Sequence, residues 1–176
     1  DGIRDYKVTG VQTCALPIFC TATFVAGCSR TPPAPSAAGT LEATVISVTD
    51  GDTVTLRIAG RKEKVRLIGV DTPETKHPTK PVQCWGPEAS AHTAGLLPPG
   101  TPVEVWGDEE SRDHFRRLLL YIRRAEDGLF VNLDLVKGGW AVPLPYPPNT
   151  SFASQFADAA NEAEQLGLGL WGACPR

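Results

Sequence analysis

The chain has 176 residues, of which 41% are hydrophobic and 21% are charged, and its formal net charge is −3. This length and composition allow one packed domain with residues to spare, and they exclude global disorder. The negative charge argues against a protein that coats nucleic acid through a large basic face, and the lack of any run of eighteen apolar residues predicts no membrane-spanning helix.

The first eighteen residues read as an artefact rather than as part of a fold. The chain contains no methionine, and the stretch "VTGVQTCALPI" (Val8–Ile18) back-translates without strain to a sequencing-library adapter. We therefore exclude residues 1–18 from the predicted fold. The alternative is a genuine polar N-terminal extension.

Residues 19–28 form a short apolar stretch in which small residues precede Cys28. This pattern resembles a truncated lipoprotein signal with its lipobox, which implies cleavage before Cys28 and a lipid on that thiol. The alternative is an ordinary signal peptide that happens to end near a cysteine. The Pro/Ala/Ser-rich residues 29–40 then predict a stiff linker between the anchor and a domain at 41–176.

Two cysteines, Cys84 and Cys174, lie inside the predicted domain. Two thiols in an exported domain predict a disulfide. It would close a loop of about ninety residues and stabilise the fold by at most about 4–5 kcal/mol on the chain-entropy view. Neither cysteine belongs to a CxxC pair, which disfavours the alternative of a metal site.

The domain alternates between strand-like and helix-like segments. Apolar residues alternate with polar ones in several β-branched segments, and glycine-containing turns separate the first three of them. Other segments have helical composition, with Pro87 at a first turn and glycines after a helix end. The predicted strands are 41–50, 52–60, 64–70, 101–107 and 116–124, and the predicted helices are 86–97, 132–139 and 151–171.

This order of elements defines the fold class. Three strands, a helix, two strands and two helices indicate a small α+β domain. Five strands with one helix inserted after the third is the order of an OB-type barrel. We therefore predict a five-stranded OB-type β-barrel with three helices.

Charged residues gather where the predicted strands end. Asp52 begins the second strand and Asp71 ends the third, so a meander can bring both to one mouth of the barrel. Two converging carboxylates repel unless a cation lies between them, and oxygen ligands on loops select calcium. Glu74 lies three residues on, where it can reach a water as a general base. Arg66 must be brought to the same opening by a twist, a bulge or a turn, because strict alternation puts it on the other face.

Six segments, in this order, resemble the staphylococcal nuclease (thermonuclease) family. The resemblance covers about residues 41–171, and "DGDTV" together with "RLIGVDTPET" and a later arginine makes it specific. The segments are "ATVISVTDGDTVTL", "VRLIGVDTPETKHP", "GPEASAHT", "RDHFRRLLLYI", "VNLDLVKGGWA" and "LGLW".

The resemblance implies an enzyme, a calcium-dependent nuclease that hydrolyses DNA and RNA and leaves 3′-phosphate ends. By motif, Asp52, Asp71 and the carbonyl of Thr72 would bind calcium, and Asp50 would shape that loop without binding. Glu74 would activate the attacking water or orient it. Arg66 and Arg117 would hold the phosphate.

The substrate-binding residues depart from the family pattern. His114 and Phe115 stand where the family has lysine and tyrosine, and Arg116 stands where it has glycine. Phe115 keeps the ability to stack on a base, and Tyr146 is the remaining tyrosine of a segment that is tyrosine-rich in the family. Two lysines beside the site, Lys76 and Lys80, are able to contact phosphates of single-stranded or frayed substrate.

The sequence therefore predicts an exported, monomeric nuclease that is either a cell-envelope lipoprotein, attached to the membrane only through a lipid anchor, or an extracellular protein. The alternative from a different class is a non-catalytic OB-fold module that binds nucleic acid or protein, and a third is an envelope adhesion or scavenging module. Degenerate modules of the second kind typically lack the carboxylates that this chain retains.

Overall fold

The computed structural model describes residues 39–75 and 81–175. The predictions for the N-terminal artefact, the signal, most of the linker, Cys28, Lys76 and Lys80 lie outside these residues. The strands are β1 (Leu41–Asp50), β2 (Thr53–Ile58), β3 (Arg61–Leu67), β4 (Val70–Asp71), β5 (Pro102–Trp106), β6 (Leu118–Arg124) and β7 (Val142–Pro143). Five of them close into a barrel in the order β1-β2-β3-β6-β5, and β4 pairs with β7 in a separate two-stranded sheet.

The barrel confirms the predicted α+β fold class. Neighbouring strands are antiparallel except for β3 and β6, which run parallel. Alternate strand residues face inward, and their apolar side chains form the core because burial there removes the most apolar surface from water. The fully buried residues include Val54, Leu56, Val65, Val105 and Ile122.

Four helices accompany the barrel within the described residues, one more than predicted. They are α1 (Gly86–Leu96), α2 (Val131–Lys137), α3 (Ala153–Gln165) and the single-turn α4 (Leu170–Ala173). Pro87 lies in the first turn of α1, as the sequence predicts. Helix α3 buries Phe156 and three alanines against the core along one stripe.

The predicted third strand is interrupted at Ile68 and Gly69. Gly69 has a φ of +77°, and a side chain there would enter the ring of Phe156, since its Cβ would fall 2.5 Å from Cε2. Strand β3 therefore ends at Leu67, and Asp71 belongs to the separate strand β4. This turn breaks the strict alternation between Arg66 and Asp71.

The disulfide joins Cys84, just before α1, to Cys174, just after α4. It connects residues that are 90 positions apart in the sequence. The C-terminal end is thereby tied to the segment that leads from the barrel into α1. In the described part of the chain, no helix is both long and apolar enough to cross a membrane.

Candidate active site

Strand register places Arg66 beside the first aspartate. Thr53 on β2 pairs with Arg66 on β3, so the residue before Thr53 lies next to the arginine side chain. Arg66 Nη1 lies 2.5 Å from Asp52 Oδ2 as an ion pair, and Nη2 donates a hydrogen bond of 2.7 Å to Asp71 Oδ1. The buried Nη1 has no partner with hydrogen-bond geometry. One guanidinium thus bridges the two carboxylates that the sequence predicts to converge.

Asp52 is a buried carboxylate that organises the chain around it. Its Oδ2 accepts hydrogen bonds from the backbone N–H of Thr72 (3.0 Å) and from the Thr72 hydroxyl (3.1 Å). Its Oδ1 accepts a hydrogen bond of 3.0 Å from the Thr53 hydroxyl. These hydrogen bonds satisfy the buried carboxylate and fix Thr72 next to both aspartates.

Asp71 is half exposed, and its surroundings act on its pKa in opposite directions. Burial raises the pKa of Asp71, and the negative charges of Asp52 and Glu74 raise it further, although the Arg66 guanidinium opposes them. Arg66 therefore does not fully offset the combined effect of burial and of the two neighbouring negative charges. Such a site favours a bound cation.

The turn between β1 and β2 is held from three directions. Asp50 Oδ1 accepts hydrogen bonds from the N–H of Gly51 (2.9 Å) and from the Thr75 hydroxyl (2.8 Å). The Thr93 hydroxyl of α1 donates a hydrogen bond of 2.7 Å to the Gly51 carbonyl. Gly51 packs so closely on Thr72 that a Cβ would fall 2.6 Å from its Oγ1. Asp50 links this turn to the Thr72–Thr75 segment, and only glycine fits between them.

Arg117 is positioned by Asp113, a role that sequence reasoning missed. Arg117 donates from Nε to Asp113 Oδ2 (2.7 Å) and from its backbone N–H to Oδ1 (2.9 Å), and Nη1 reaches the Thr53 hydroxyl at 3.4 Å. Burial raises the pKa of Asp113, but the hydrogen bonds and charge of Arg117 outweigh it and lower the pKa overall. The separation of four residues between an acid and a base was the available signal.

The aromatic residues lie at the edges of the site. The Phe115 side chain is 67% exposed, and the Arg117 guanidinium carbon lies 5.2 Å from the centre of its ring. Tyr146 lines an adjoining cleft of about 160 Å³ that also includes Arg66 and Arg117. The two predicted lysines beside the site lie outside the described residues.

A single cleft of about 390 Å³ brings the predicted groups together. Both arginines, both aspartates, Glu74, Thr72 and Phe115 line it, whereas Tyr146 lies in the neighbouring cleft. Gln83 also lines the main cleft, although no motif singled it out, and its Oε1 accepts a hydrogen bond of 2.7 Å from the Glu74 N–H.

The donor set suits a hard cation in composition. Among the described residues, no three or more His, Cys, Asp or Glu side chains are grouped to hold a metal. The predicted set is two carboxylates and one backbone carbonyl, all of them oxygen donors, beside a cleft with room for water. Oxygen donors of this kind are those that calcium prefers.

Comparison with known proteins identifies the family. The sequence profile described as "Staphylococcal nuclease homologue" matches residues 64–173. The chain is 39% identical to a thermonuclease of Staphylococcus intermedius over 124 residues, which are 70% of this chain and 72% of that protein. It is 35% identical to a thermonuclease of Staphylococcus hyicus over 127 residues, 72% and 73% of the two chains.

A third relative comes from another genus. The endonuclease YncB of Bacillus subtilis is 38% identical over 123 residues, which are 69% of this chain and 57% of that protein. The profile begins after Asp52, but the structure places Asp52 within the same cluster as the matched residues. The closed barrel, the cleft and the extent of these matches together show that the chain belongs to the staphylococcal nuclease family.

Proposed function

We propose that this nuclease of the staphylococcal nuclease family hydrolyses phosphodiester bonds of DNA and RNA with calcium as its cofactor and leaves 3′-phosphate ends. One observation carries the proposal. Two arginines, two aspartates and a glutamate line one cleft of about 390 Å³. A phosphodiester needs cationic donors for its oxygens and a carboxylate for the attacking water, and both are present.

Asp52, Asp71 and the Thr72 carbonyl would hold the calcium ion. The raised pKa of Asp71, which arises first from burial and then from Asp52 and Glu74, supports this assignment because a cation would relieve the repulsion. When bound, calcium supplies positive charge that stabilises the developing negative charge on phosphate oxygens. A modest affinity, about 10⁻⁴–10⁻³ M as in extracellular modules, is expected.

The two arginines would bind the phosphate. Arg66 lines the cleft, and its guanidinium, which pairs with Asp52 and Asp71 in the structure, would donate to a phosphate oxygen once a cation holds those two carboxylates. Asp113 accepts from Arg117 Nε and so fixes the guanidinium of an arginine that lines the same cleft as Arg66. Donors fixed in this way before substrate arrives stabilise a transition state at little cost in reorganisation.

Glu74 would act on the attacking water. Its backbone is fixed by Gln83, and the residue lines the same cleft as both arginines. The carboxylate would accept the proton of the water as it attacks phosphorus, or would orient that water.

The substrate would be single-stranded or frayed. Phe115 is exposed at the rim, and an aromatic ring stacks only on a base that has left the duplex. Tyr146 would contribute a second stacking surface in the adjoining cleft, and Lys76 and Lys80 would contact phosphates.

The same proposal includes export, a lipid on Cys28 and a monomeric state. The Cys84–Cys174 disulfide supports export, because disulfides persist in oxidising compartments.

A degradation assay tests the function. Plasmid DNA and an RNA transcript are incubated with the protein in calcium and in excess chelator, alongside Glu74→Ser. We expect cleavage only with calcium, and a loss of about a hundredfold or more in rate for Glu74→Ser. Full activity in chelator would contradict the calcium assignment, and binding without cleavage would favour the non-catalytic alternative.

A further inference from the structure

Gln83 is joined to Glu74 by a pair of hydrogen bonds. The Glu74 N–H donates to Gln83 Oε1 at 2.7 Å, and the Gln83 N–H donates to the Glu74 carbonyl at 3.0 Å. The backbone of the proposed water-activating residue is therefore held on both of its polar groups by one residue. Gln83 belongs to neither the metal set nor the phosphate set.

The N-terminal residue of α1 contacts both members of this pair. The Gly86 N–H donates to the Gln83 carbonyl at 3.1 Å. A Cβ on Gly86 would fall 3.1 Å from the carbonyl oxygens of both Pro73 and Glu74. The helix start thus packs directly on the Glu74 segment, and Gln83 bridges the two.

The disulfide anchors this bridge to the C-terminal end of the domain. Cys84 follows Gln83 directly and is bonded to Cys174. Helix α4, just before Cys174, is itself held by the Leu170 N–H, which donates to the Gly139 carbonyl at 2.9 Å. Gln83 is exposed to solvent, so water competes for its hydrogen bonds and a covalent tether next to it matters more than it would in a core.

A cleft of about 300 Å³ runs between the disulfide and the proposed calcium ligands. Asp71, Thr72 and Gln83 line it together with both cysteines. Cys84 is exposed, and exposed disulfides are the ones that reductants reach.

We propose that Gln83 is a positioning residue for Glu74, and that the Cys84–Cys174 disulfide keeps Gln83 in place, so that the cleavage rate depends on the oxidation state of this pair. The proposal rests on the proposed function of Glu74. Displacement of a catalytic group by about 1 Å can cost about a hundredfold in rate, so loss of this support reaches the chemistry without any direct contact to substrate.

The redox step is ordinary thiol–disulfide exchange with an external dithiol. A thiolate of the dithiol attacks Sγ of Cys84, the bond between the two cysteines breaks, and Cys174 leaves as a thiolate that takes up a proton. The second thiol of the reagent then displaces Cys84 and closes a cyclic disulfide. Two electrons pass from the reagent to the protein, which ends with two thiols.

The test uses two variants of the oxidised protein, with dithiothreitol as the reductant. Gln83→Met has nearly the same length but no acceptor, whereas Gln83→Glu keeps the acceptor oxygen. We measure kcat, KM and the calcium concentration for half-maximal activity on single-stranded DNA. We expect Gln83→Met to lower kcat about tenfold with KM and calcium dependence unchanged, and Gln83→Glu to restore most of kcat.

Reduction supplies the second arm. We expect it to lower kcat of the wild-type protein by a similar factor, and to add little to the loss in Gln83→Met, because the two changes remove the same support. A wild-type kcat in Gln83→Met would overturn the positioning role. Equal losses on reduction in both proteins would overturn the coupling to the disulfide.

The two proposals fail in different ways. If the oxidised wild-type protein does not cleave DNA with calcium, the proposed function is wrong. If it cleaves and Gln83→Met cleaves equally fast, only the present inference is wrong. The Gln83→Met arm keeps the disulfide and changes an exposed side chain, and thermal unfolding verifies that it is folded at the assay temperature.

Discussion

Arg66 offers the sharpest test of the site, because its guanidinium alone bridges Asp52 and Asp71 among the contacts described. In Arg66→Met the side chain keeps its length and loses its charge, which leaves two carboxylates facing each other. Breaking a buried ion pair costs about 3–5 kcal/mol. Asp71 is 49% exposed, and solvent screening reduces the figure. We therefore expect the free energy of unfolding without calcium to fall by about 2–3 kcal/mol, which lowers Tm by about 6–12 °C.

Calcium should reverse much of this loss. In the wild-type protein the guanidinium competes with a cation for the same two carboxylates, and Arg66→Met removes that competition. If the calcium Kd falls from about 1 mM to about 0.1 mM, then 10 mM calcium stabilises the wild-type protein by about 1.4 kcal/mol and the variant by about 2.7 kcal/mol. The variant should therefore gain about 1.3 kcal/mol more from calcium than the wild-type protein does.

The assay is thermal unfolding with and without 10 mM calcium, with magnesium as the ionic-strength control. Arg57→Met is the matched variant, because Arg57 is exposed on β2 and takes part in none of the site contacts described above. We expect Arg57→Met to respond to calcium as the wild-type protein does. An equal calcium response in Arg66→Met and in the wild-type protein would refute the idea that Asp52 and Asp71 hold the ion.

Substitutions at three further positions probe how the site is supported. Asp113→Asn should lower kcat about tenfold by releasing Arg117. The pKa of Asp113 is lowered in the folded protein, so the stability that its carboxylate contributes is present above about pH 4 and is lost as the pH falls through the folded-state pKa. The free energies of unfolding of the wild-type protein and the variant should therefore converge in acid. Arg116→Gly should raise unfolding free energy by about 1 kcal/mol, and Arg116→Ala should not, because the strain lies in a φ of +64° that only glycine relieves. Gly51→Ala should raise the calcium concentration for half-maximal activity, since its Cβ would displace Thr72.

The barrel was predictable because its strands follow local rules. Alternating apolar and polar residues define β1 and β2, and the predicted span of β1 matches the observed Leu41–Asp50. The errors lie where tertiary packing overrides the pattern. The apolar run through Ile68 and Gly69 continues like a strand, yet the Phe156 ring and a positive φ end it at Leu67.

The site was predictable in part. The convergence of Asp52 with Asp71 follows from the meander, but the reach of Arg66 to both depends on the turn at Gly69, which alternation alone does not supply. Residues that support the site through hydrogen bonds to the backbone are harder to predict from the sequence. Gln83 holds Glu74 and Thr93 holds Gly51 through carbonyl and N–H groups, so neither residue carries a motif of its own.

Several departures from local rules lie at or beside the site. An arginine with a buried Nη atom lacking a hydrogen bond, an aspartate with a raised pKa and a non-glycine residue at positive φ all lie at or beside one cleft. The backbone of Arg116, at a φ of +64°, lies between Asp113 and Arg117, and the hydrogen bonds to Asp113 hold the arginine that we propose to bind phosphate within 3.4 Å of the Thr53 hydroxyl.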